Sequence, residues 1–404
     1  MQPRSRVVVT GVGVVTSIGT GVESFWRALL GGDCGIGPVE SFDTSKYAVH
    51  IGGEVRDFDP VPFVKQLPVA RMGRASQLAI AAARLALKDA GLSPEALPAD
   101  KVGVSIGTTS GEPTLIEQFD DAEVAGKREA IGREFIEQYP SHVIAAHVAA
   151  ELGFGGPNIV IPTACAAGNY ALANACDTLR TNEADVMLAG GSDCFSRITY
   201  TGFARLGAIA PERCQPFDKN RKGMVPGEGA AVLVLERYEN AVARGARIYA
   251  ELAGYGLTCD ANHMTAPQGD GATRAMRLAI ADAGIQPSDV NYISAHGTGT
   301  AVNDRVETAA VRQAFAELAP PMSSIKSMLG HTMGAASAIE AVACVLAVQN
   351  DALPPTINYE TADPECGLDY VPNEARFAQV DVAMNNAYAF GGNNASVIFR
   401  KCRP

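Results

Sequence analysis

Cys165 has the surroundings of a reactive side chain. It lies in Pro162-Thr163-Ala164-Cys165-Ala166-Ala167-Gly168, after the strand-like end Val160 to Pro162 and at the start of an Ala-rich helical stretch, Ala166 to Arg180. Free N–H groups and the macrodipole at a helix N-terminus stabilise a thiolate. An unperturbed thiol has a pKa of about 8.5, so this position is expected to supply a nucleophile near neutral pH. Small neighbours leave room for a bulky thioester. For most of the nine cysteines, a small buried hydrophobe is the better reading.

Three other segments carry groups that complement a nucleophile. In Ser294-Ala295-His296-Gly297-Thr298-Gly299-Thr300, a histidine leaves a buried strand and enters a loop of small residues. Such a histidine either donates to developing negative charge or serves as a satisfied core or capping group. Ser324-Ile325-Lys326-Ser327-Met328-Leu329-Gly330-His331-Thr332 places a lysine and a second histidine on a glycine-containing loop before another Ala-rich helix. A cation near an imidazole biases its protonation; the alternative is a solvated lysine and a helix-capping histidine. In Asn385-Asn386-Ala387-Tyr388-Ala389-Phe390-Gly391-Gly392-Asn393-Asn394, a double glycine follows an aromatic residue. Its backbone N–H groups could form an oxyanion hole, or the segment is an ordinary tight turn.

These residues need a scaffold, and the chain reads as alternating strands and helices. Strand-like runs occur at Arg6 to Val9, Val102 to Ile106, Asp185 to Ala189, Val232 to Leu235 and Ile248 to Ala253. Arg74 to Ala90 repeats apolar residues at helical intervals. The second part repeats the theme, with helices at Ala272 to Ala283, Asp304 to Leu318 and Gly334 to Gln349. Its strands are expected at Val290 to Ala295, Met384 to Ala387 and Ala395 to Arg400. This alternation predicts an α/β fold. Two stretches of similar grammar suggest an internal duplication, with residues 1–250 and 251–404 as its halves.

Composition narrows the function. Of 404 residues, 47% are hydrophobic and 19% charged, which suits a large packed core. A net charge of −11 argues against nucleic-acid binding. The odd number of cysteines and the lack of a Cys-x-x-Cys pair argue against a disulfide framework or a zinc site. The start of the chain lacks the pattern of a signal peptide, and no apolar run is judged long enough to span a bilayer. The expected compartment is the cytoplasm, with no membrane partner. Gly11-x-Gly13 is followed by Val14 rather than by a dinucleotide fingerprint, and it reads as a strand turn. No cofactor motif is found.

Taken together, the four catalytic segments resemble, in order and spacing, those of β-ketoacyl-acyl carrier protein synthases of the type I/II kind. The resemblance extends to Arg6-Val7-Val8-Val9-Thr10-Gly11-Val12-Gly13, Asp218-Lys219-Asn220-Arg221-Lys222-Gly223, Pro226-Gly227-Glu228-Gly229-Ala230 and Asp260-Ala261-Asn262-His263-Met264-Thr265-Ala266-Pro267, and so covers essentially the whole chain. It implies a duplicated, five-layered αβαβα thiolase fold, normally dimeric. It implies that Cys165 carries the acyl group, that His296 and His331 stabilise the enolate formed from a malonyl thioester, and that Lys326 organises the two histidines. Glu340 matches a buried carboxylate behind them. The N–H groups of Cys165 and Phe390 match the oxyanion hole, and Phe390 also matches a gate residue.

The resemblance further implies an acyl carrier protein as partner, met by Lys65, Arg71 and Arg74, and an acyl pocket reached by Thr109 and Ser110. Small, polar Thr108, Thr109 and Ser110 depart from the branched residue often found at the base of that pocket. Asn303-Asp304-Arg305-Val306-Glu307-Thr308-Ala309-Ala310 looks closer to type II polyketide ketosynthases. The expected function is therefore fatty-acid elongation by a homodimer. The alternative is the same chemistry in a type II polyketide pathway, as a heterodimer with a chain-length-factor-like homologue. A non-catalytic partner subunit is the third reading, and the intact Cys165 argues against it.

Overall fold

The structure is a computed structural model that describes residues 5–127, 133–265 and 267–403. Among the described residues the main sheet has eleven strands, a two-residue one at Gly19–Thr20 beside the end of the first and ten along its path: β1 (Val7–Thr16), β2 (Val102–Gly107), β3 (Asn158–Ile161), β4 (Val186–Asp193), β5 (Gly229–Arg237), β6 (Ala250–Cys259), β7 (Tyr292–Ser294), β8 (Met322–Ser323), β9 (Val382–Tyr388) and β10 (Asn393–Arg400). Their order is β8-β7-β9-β10-β6-β1-β5-β4-β2-β3. The first five strands thus lie in the order third, second, fourth, fifth, first, and the last five repeat that order in mirror sequence from the other edge. The senses repeat as well. β2 runs parallel to β3 and β4, while β5 is antiparallel to β4 and β1. β7 runs parallel to β8 and β9, while β10 is antiparallel to β9 and β6. The two runs join where Val7–Val9 pair with Ala250–Leu252.

Seven helices complete the layers: α1 (Arg74–Asp89), α2 (Val143–Leu152), α3 (Ala167–Arg180), α4 (Arg197–Arg205), α5 (Gly269–Ala283), α6 (Ala301–Phe315) and α7 (Ala336–Asn350). α1 and α2 cover the outer face of the first run of strands, and α5 with α6 covers the outer face of the second. α3 and α7 pack against each other and against strands of both runs, which makes them the middle layer. The result is the αβαβα stack that the family resemblance implies.

Burial explains the composition of α7. Every residue from Ala336 to Val348 is buried, because the helix has sheet on both sides. A helix covered all round is apolar all round. Here the expectation of no membrane-length run is corrected: Met333–Asn350 is long and apolar enough to cross a bilayer, yet 89% of it is buried inside the protein. Its hydropathy reflects its place in the middle layer.

Gly11 and Gly13 also require correction. They lie in mid-strand, not at a turn. A Cβ on Gly11 would overlap the Ala86 carbonyl, and one on Gly13 would overlap the Ala82 carbonyl and the Ala86 nitrogen. These glycines let α1 lie directly on β1. Gly254 and Gly256 do the same in β6, facing Ala279, Ala283 and Ala275 of α5. The same Gly-x-Gly device thus recurs at the same place in both runs.

Gly13→Ala is expected to destabilise the fold by about 1–3 kcal/mol through overpacking. Gly202→Ala, in α4 with nothing near the added carbon, should be neutral or stabilise by up to about 1 kcal/mol. Urea unfolding of the two variants checks this contrast; equal midpoints would contradict it.

Candidate active site

Cys165 lies in one of two matching turns in the two runs of the chain, and His331 immediately precedes the other. Thr163-Ala164-Cys165-Ala166-Ala167 leads into α3, and Thr332-Met333-Gly334-Ala335-Ala336 leads into α7. Each turn has one non-glycine residue in the left-handed region, Ala164 (φ 48°) and Met333 (φ 54°). Such residues are uncommon and cluster at functional sites, held by the structure around them. The two turns press together: Gly168 has no room for a Cβ against Ala338 and Ser337, and Asn169 N–H donates to Ser337 Oγ at 3.1 Å. Asn385 from β9 ties the arrangement, donating to Asn169 Oδ1 at 2.8 Å and to the Ser337 carbonyl at 2.7 Å.

This contact brings the sequence-predicted residues together. Cys165 Sγ lies 3.1 Å from His331 Nε2. The His296 and His331 rings meet edge-on, with centroids 5.5 Å apart. One ligand-type atom from each of Cys165, His296 and His331 lies within 4.8 Å of the others. The backbone N–H groups of Cys165 and Phe390 lie near enough to the sulfur to favour its thiolate. Lys326 is buried in an ion pair with Glu340, whose second oxygen has no partner among the described residues. A cavity of about 100 Å³ opens onto the group, lined also by Phe203, Met224, Thr298, Thr300, Tyr388 and Phe390. Phe390 is 40% exposed and packs against Phe203 of α4 with ring centroids 6.0 Å apart. Gly391 and Gly392 behind it both have positive φ, a backbone path that suits glycine.

Hydrogen bonding fixes one imidazole's tautomer. Met333 N–H donates to His331 Nδ1 at 3.1 Å. The ring proton of neutral His331 is therefore on Nε2, facing the sulfur. Burial, then the nearby Lys326, holds His331 well below the ordinary histidine range. His296 is lowered likewise, by burial first, then Lys326 and His331. Both rings are neutral at pH 7. Three nitrogen and sulfur donors in this spacing could in principle hold a soft divalent metal. The Nε2 proton of His331 works against it, since a ligand must present a lone pair there.

The thiol departs from the sequence expectation. Burial pushes Cys165 up to about 11, with Lys326 acting in the opposite direction. The helix terminus and the two N–H groups favour the thiolate, but the dry surroundings outweigh them, so the resting group is a thiol. Its ionisation belongs to the reaction itself, when an acyl donor arrives.

Sequence reasoning missed the supports. Glu307 accepts the N–H groups of His296 and Gly297, each at 2.8 Å, and is pushed up to about 8 by burial. Asp304 accepts Phe217 N–H at 2.7 Å and Gly299 N–H at 3.2 Å, holding the rest of that loop. These acids stand three residues apart on α6, which follows the histidine loop directly; two acids at that helical spacing, next to the loop, were the available signal. Asp193, at the end of β4, accepts Thr108 Oγ1, Thr109 N–H, Ser110 N–H and Gly334 N–H at 2.7–3.0 Å. It thereby ties the turn after His331 to the loop after β2.

Other expected residues lie elsewhere. Thr109 and Ser110 are held by Asp193 and are not among the residues lining the cavity at Cys165. Lys65 and Arg71 are exposed. Arg74 bonds Glu228 through two nitrogens at 2.8 Å and the Val55 carbonyl at 2.7 Å. Its charge is spent within the fold, because Glu228 is buried and needs a counter-charge.

Comparison with known proteins agrees with this geometry. Residues 4–241 match the family model described as Beta-ketoacyl synthase, N-terminal domain, and residues 249–360 match Beta-ketoacyl synthase, C-terminal domain. The 3-oxoacyl-[acyl-carrier-protein] synthase 2 of Synechocystis sp. is 42% identical over 409 residues, covering 98% of both chains. Nodulation protein E of Rhizobium sp. is 42% identical over 400 residues, covering 98% of this chain and 99% of that one. Among solved structures, the ishigamide ketosynthase/chain length factor superposes with a TM-score of 0.97 at 44% identity, covering 99% of this chain and 100% of that one. The chain belongs to the beta-ketoacyl synthase family, and is an acyltransferase with the duplicated thiolase fold.

Proposed function

We propose that this protein extends an acyl chain by decarboxylative Claisen condensation with a malonyl thioester delivered on acyl carrier protein, in fatty-acid elongation. The observation that carries the reading is the meeting of Cys165, His296 and His331 within 4.8 Å at one cavity. In the first step the Cys165 sulfur attacks the acyl thioester. The new C–S bond forms, the carrier thiol departs, and the proton from Cys165 ends on that thiol. The N–H groups of Cys165 and Phe390 are placed to hold the tetrahedral oxyanion.

In the second step the malonyl thioester oxygen lies between the two imidazoles. The bond to the carboxylate breaks, carbon dioxide leaves, and its electron pair passes into an enolate whose oxygen accepts hydrogen bonds. Neutral, pre-oriented donors suit a charge that exists only during reaction. The enolate carbon then attacks the Cys165 thioester, forming a C–C bond and releasing the thiolate. Lys326, paired with Glu340, positions the histidines and keeps them from protonation. Phe390, half-exposed on its glycine turn, acts as the gate to the cysteine. Thr109 and Ser110 are assigned to the acyl pocket. Lys65 and Arg71 form the exposed basic face that meets the acidic carrier.

Partnering and pathway complete the proposal. The repeated strand order supports a division into residues 1–250 and 251–404. Among the described residues β3 pairs only with β2, which leaves its other edge open, and Ile159 on it is 41% exposed. Such an edge invites a second strand, which supports a homodimer. The cytoplasm is the proposed compartment. A second reading keeps the chemistry but places it in polyketide synthesis beside a chain-length-factor homologue; the 44% identity to the ishigamide ketosynthase/chain length factor favours it.

The half-reactions are expected to separate. His296→Ala and His331→Ala should each lower carbon dioxide release from malonyl carrier by about 10²–10³, while acylation of Cys165 survives better. Cys165→Gln should lose acylation and keep releasing carbon dioxide. Mass-detected acylation and labelled carbon dioxide release measure both; histidine variants that decarboxylate at the parental rate would refute the assignment. For assembly, Ile159→Lys should shift the protein from dimer to monomer in analytical ultracentrifugation. An unchanged dimer would move the interface elsewhere.

A further inference from the structure

Asp193 ends β4, is wholly buried and accepts four hydrogen bonds, two on each oxygen. All four donors are neutral. Three belong to Thr108, Thr109 and Ser110, and the shortest bond, at 2.7 Å, comes from Gly334 N–H. Taking a carboxylate out of water is costly unless it is well hydrogen-bonded. Bonds to a charged acceptor are roughly twice as strong as neutral ones, so each donor is held firmly. The packing leaves no slack either. A Cβ on Gly334 would overlap the Thr108–Thr109 peptide and Asp193 itself, and a Cβ on Gly107 would overlap Ala167, two residues after Cys165.

The bond from Gly334 bears on the ring of His331. The backbone of His331 is pinned on its other side, its N–H to the Val225 carbonyl at 2.6 Å and its carbonyl to Gly227 N–H at 2.8 Å. In the turn that follows, Ala335 N–H returns to the Thr332 carbonyl at 3.1 Å and Met333 N–H goes to His331 Nδ1 at 3.1 Å. Gly334 N–H reaches out of the turn to Asp193. Met333 holds a left-handed φ of 54°, a conformation that persists only where its neighbours over-determine it. Its N–H is what keeps the His331 proton off Nδ1. If Gly334 lost its acceptor, a buried N–H would be left unpaired. The turn would gain by relaxing, and the Met333 N–H would leave the ring. The His331 proton could then settle on Nδ1, and Nε2 would turn a lone pair to the cavity in place of a donor.

We propose that Asp193 is a positioning residue that sets the tautomer of His331 through Gly334 and Met333, and with it the donor that malonyl decarboxylation needs. The inference rests on the condensing reaction proposed above. Asp193→Ala removes the acceptor, and Asp193→Asn keeps the shape without the charge. Carbon dioxide release from malonyl carrier is expected to fall about tenfold in Asp193→Ala, the effect of one hydrogen bond, and less in Asp193→Asn, with the KM for malonyl carrier unchanged. Acylation of Cys165 should hold or quicken, because the Asp193 charge disfavours the thiolate. Nitrogen-15 NMR should show His331 protonated in part on Nδ1. If Asp193→Ala does not fold, Asp193→Asn carries the test with the same signs. Ser192→Ala is the control. It loses a buried bond to the Ala75 carbonyl, so its thermal midpoint should fall while carbon dioxide release and the His331 ring stay parental. Parental decarboxylation and an unchanged His331 ring in the Asp193 variants would overturn the proposal. Equal losses in both half-reactions would overturn it too, leaving Asp193 a support of the fold alone. A parent protein that neither acylates nor decarboxylates would instead refute the condensing function, while the nitrogen signals would still test the link from Asp193 to His331.

Discussion

The N-termini of α3 and α7 are pressed together where Gly168 meets Ser337 and Ala338, and the placement of the reactive groups follows from that contact. Each helix is preceded by a strained turn, one bearing Cys165 and the other following His331. Neither turn could carry the chemistry alone. Bringing them within hydrogen-bonding range sets sulfur against imidazole at 3.1 Å. Asn169, Ser337 and Asn385 then lock the approach with amide hydrogen bonds in the interior. Small side chains in both middle helices are the condition for such proximity, which accounts for their Ala-rich sequences.

Dryness is the second consequence. The middle layer leaves Cys165, His296, His331, Lys326 and Glu340 all buried. Burial acts on each according to its charge type: acids and the thiol are raised, imidazoles lowered. A buried ion pair such as Lys326–Glu340 adds little to stability after its desolvation cost. Its value here is electrostatic, because a cation near two imidazoles keeps both neutral and donating. Asp193, Glu307 and Asp304 serve differently. They accept backbone N–H groups of the loops that carry the site, so their burden is positional.

Much of this was legible in the sequence because local pattern and global fold agree. The strand–cysteine–helix junction at Cys165 is visible from apolar residues followed by small ones. α1 was expected at Arg74 to Ala90 and occurs at Arg74–Asp89; α7 begins two residues later than expected because a short 3-10 turn, Met333–Ala335, precedes it. The hidden parts depend on contacts between distant segments. Gly11 and Gly13 look like a turn until α1 is seen lying on them. Arg74 looks like part of a basic surface until Glu228, distant in sequence, is found beneath it. Asp193 gives no local sign of its role, since three of its four partners are in one loop and the fourth is in the other half of the chain. The thiol was misjudged because a helix terminus is readable from sequence and the depth of burial is not.

The central claim is that burial makes both imidazoles neutral donors, with the His331 proton on Nε2. Nitrogen-15 NMR of histidine-labelled protein, titrated from pH 8 to about pH 5, tests it directly. The account expects His331 to show a protonated Nε2 and an unprotonated, hydrogen-bonded Nδ1, and expects His296 and His331 to stay neutral through that range. An imidazolium signal for either residue with a midpoint near about 6.5, or a His331 ring protonated on Nδ1, would contradict it.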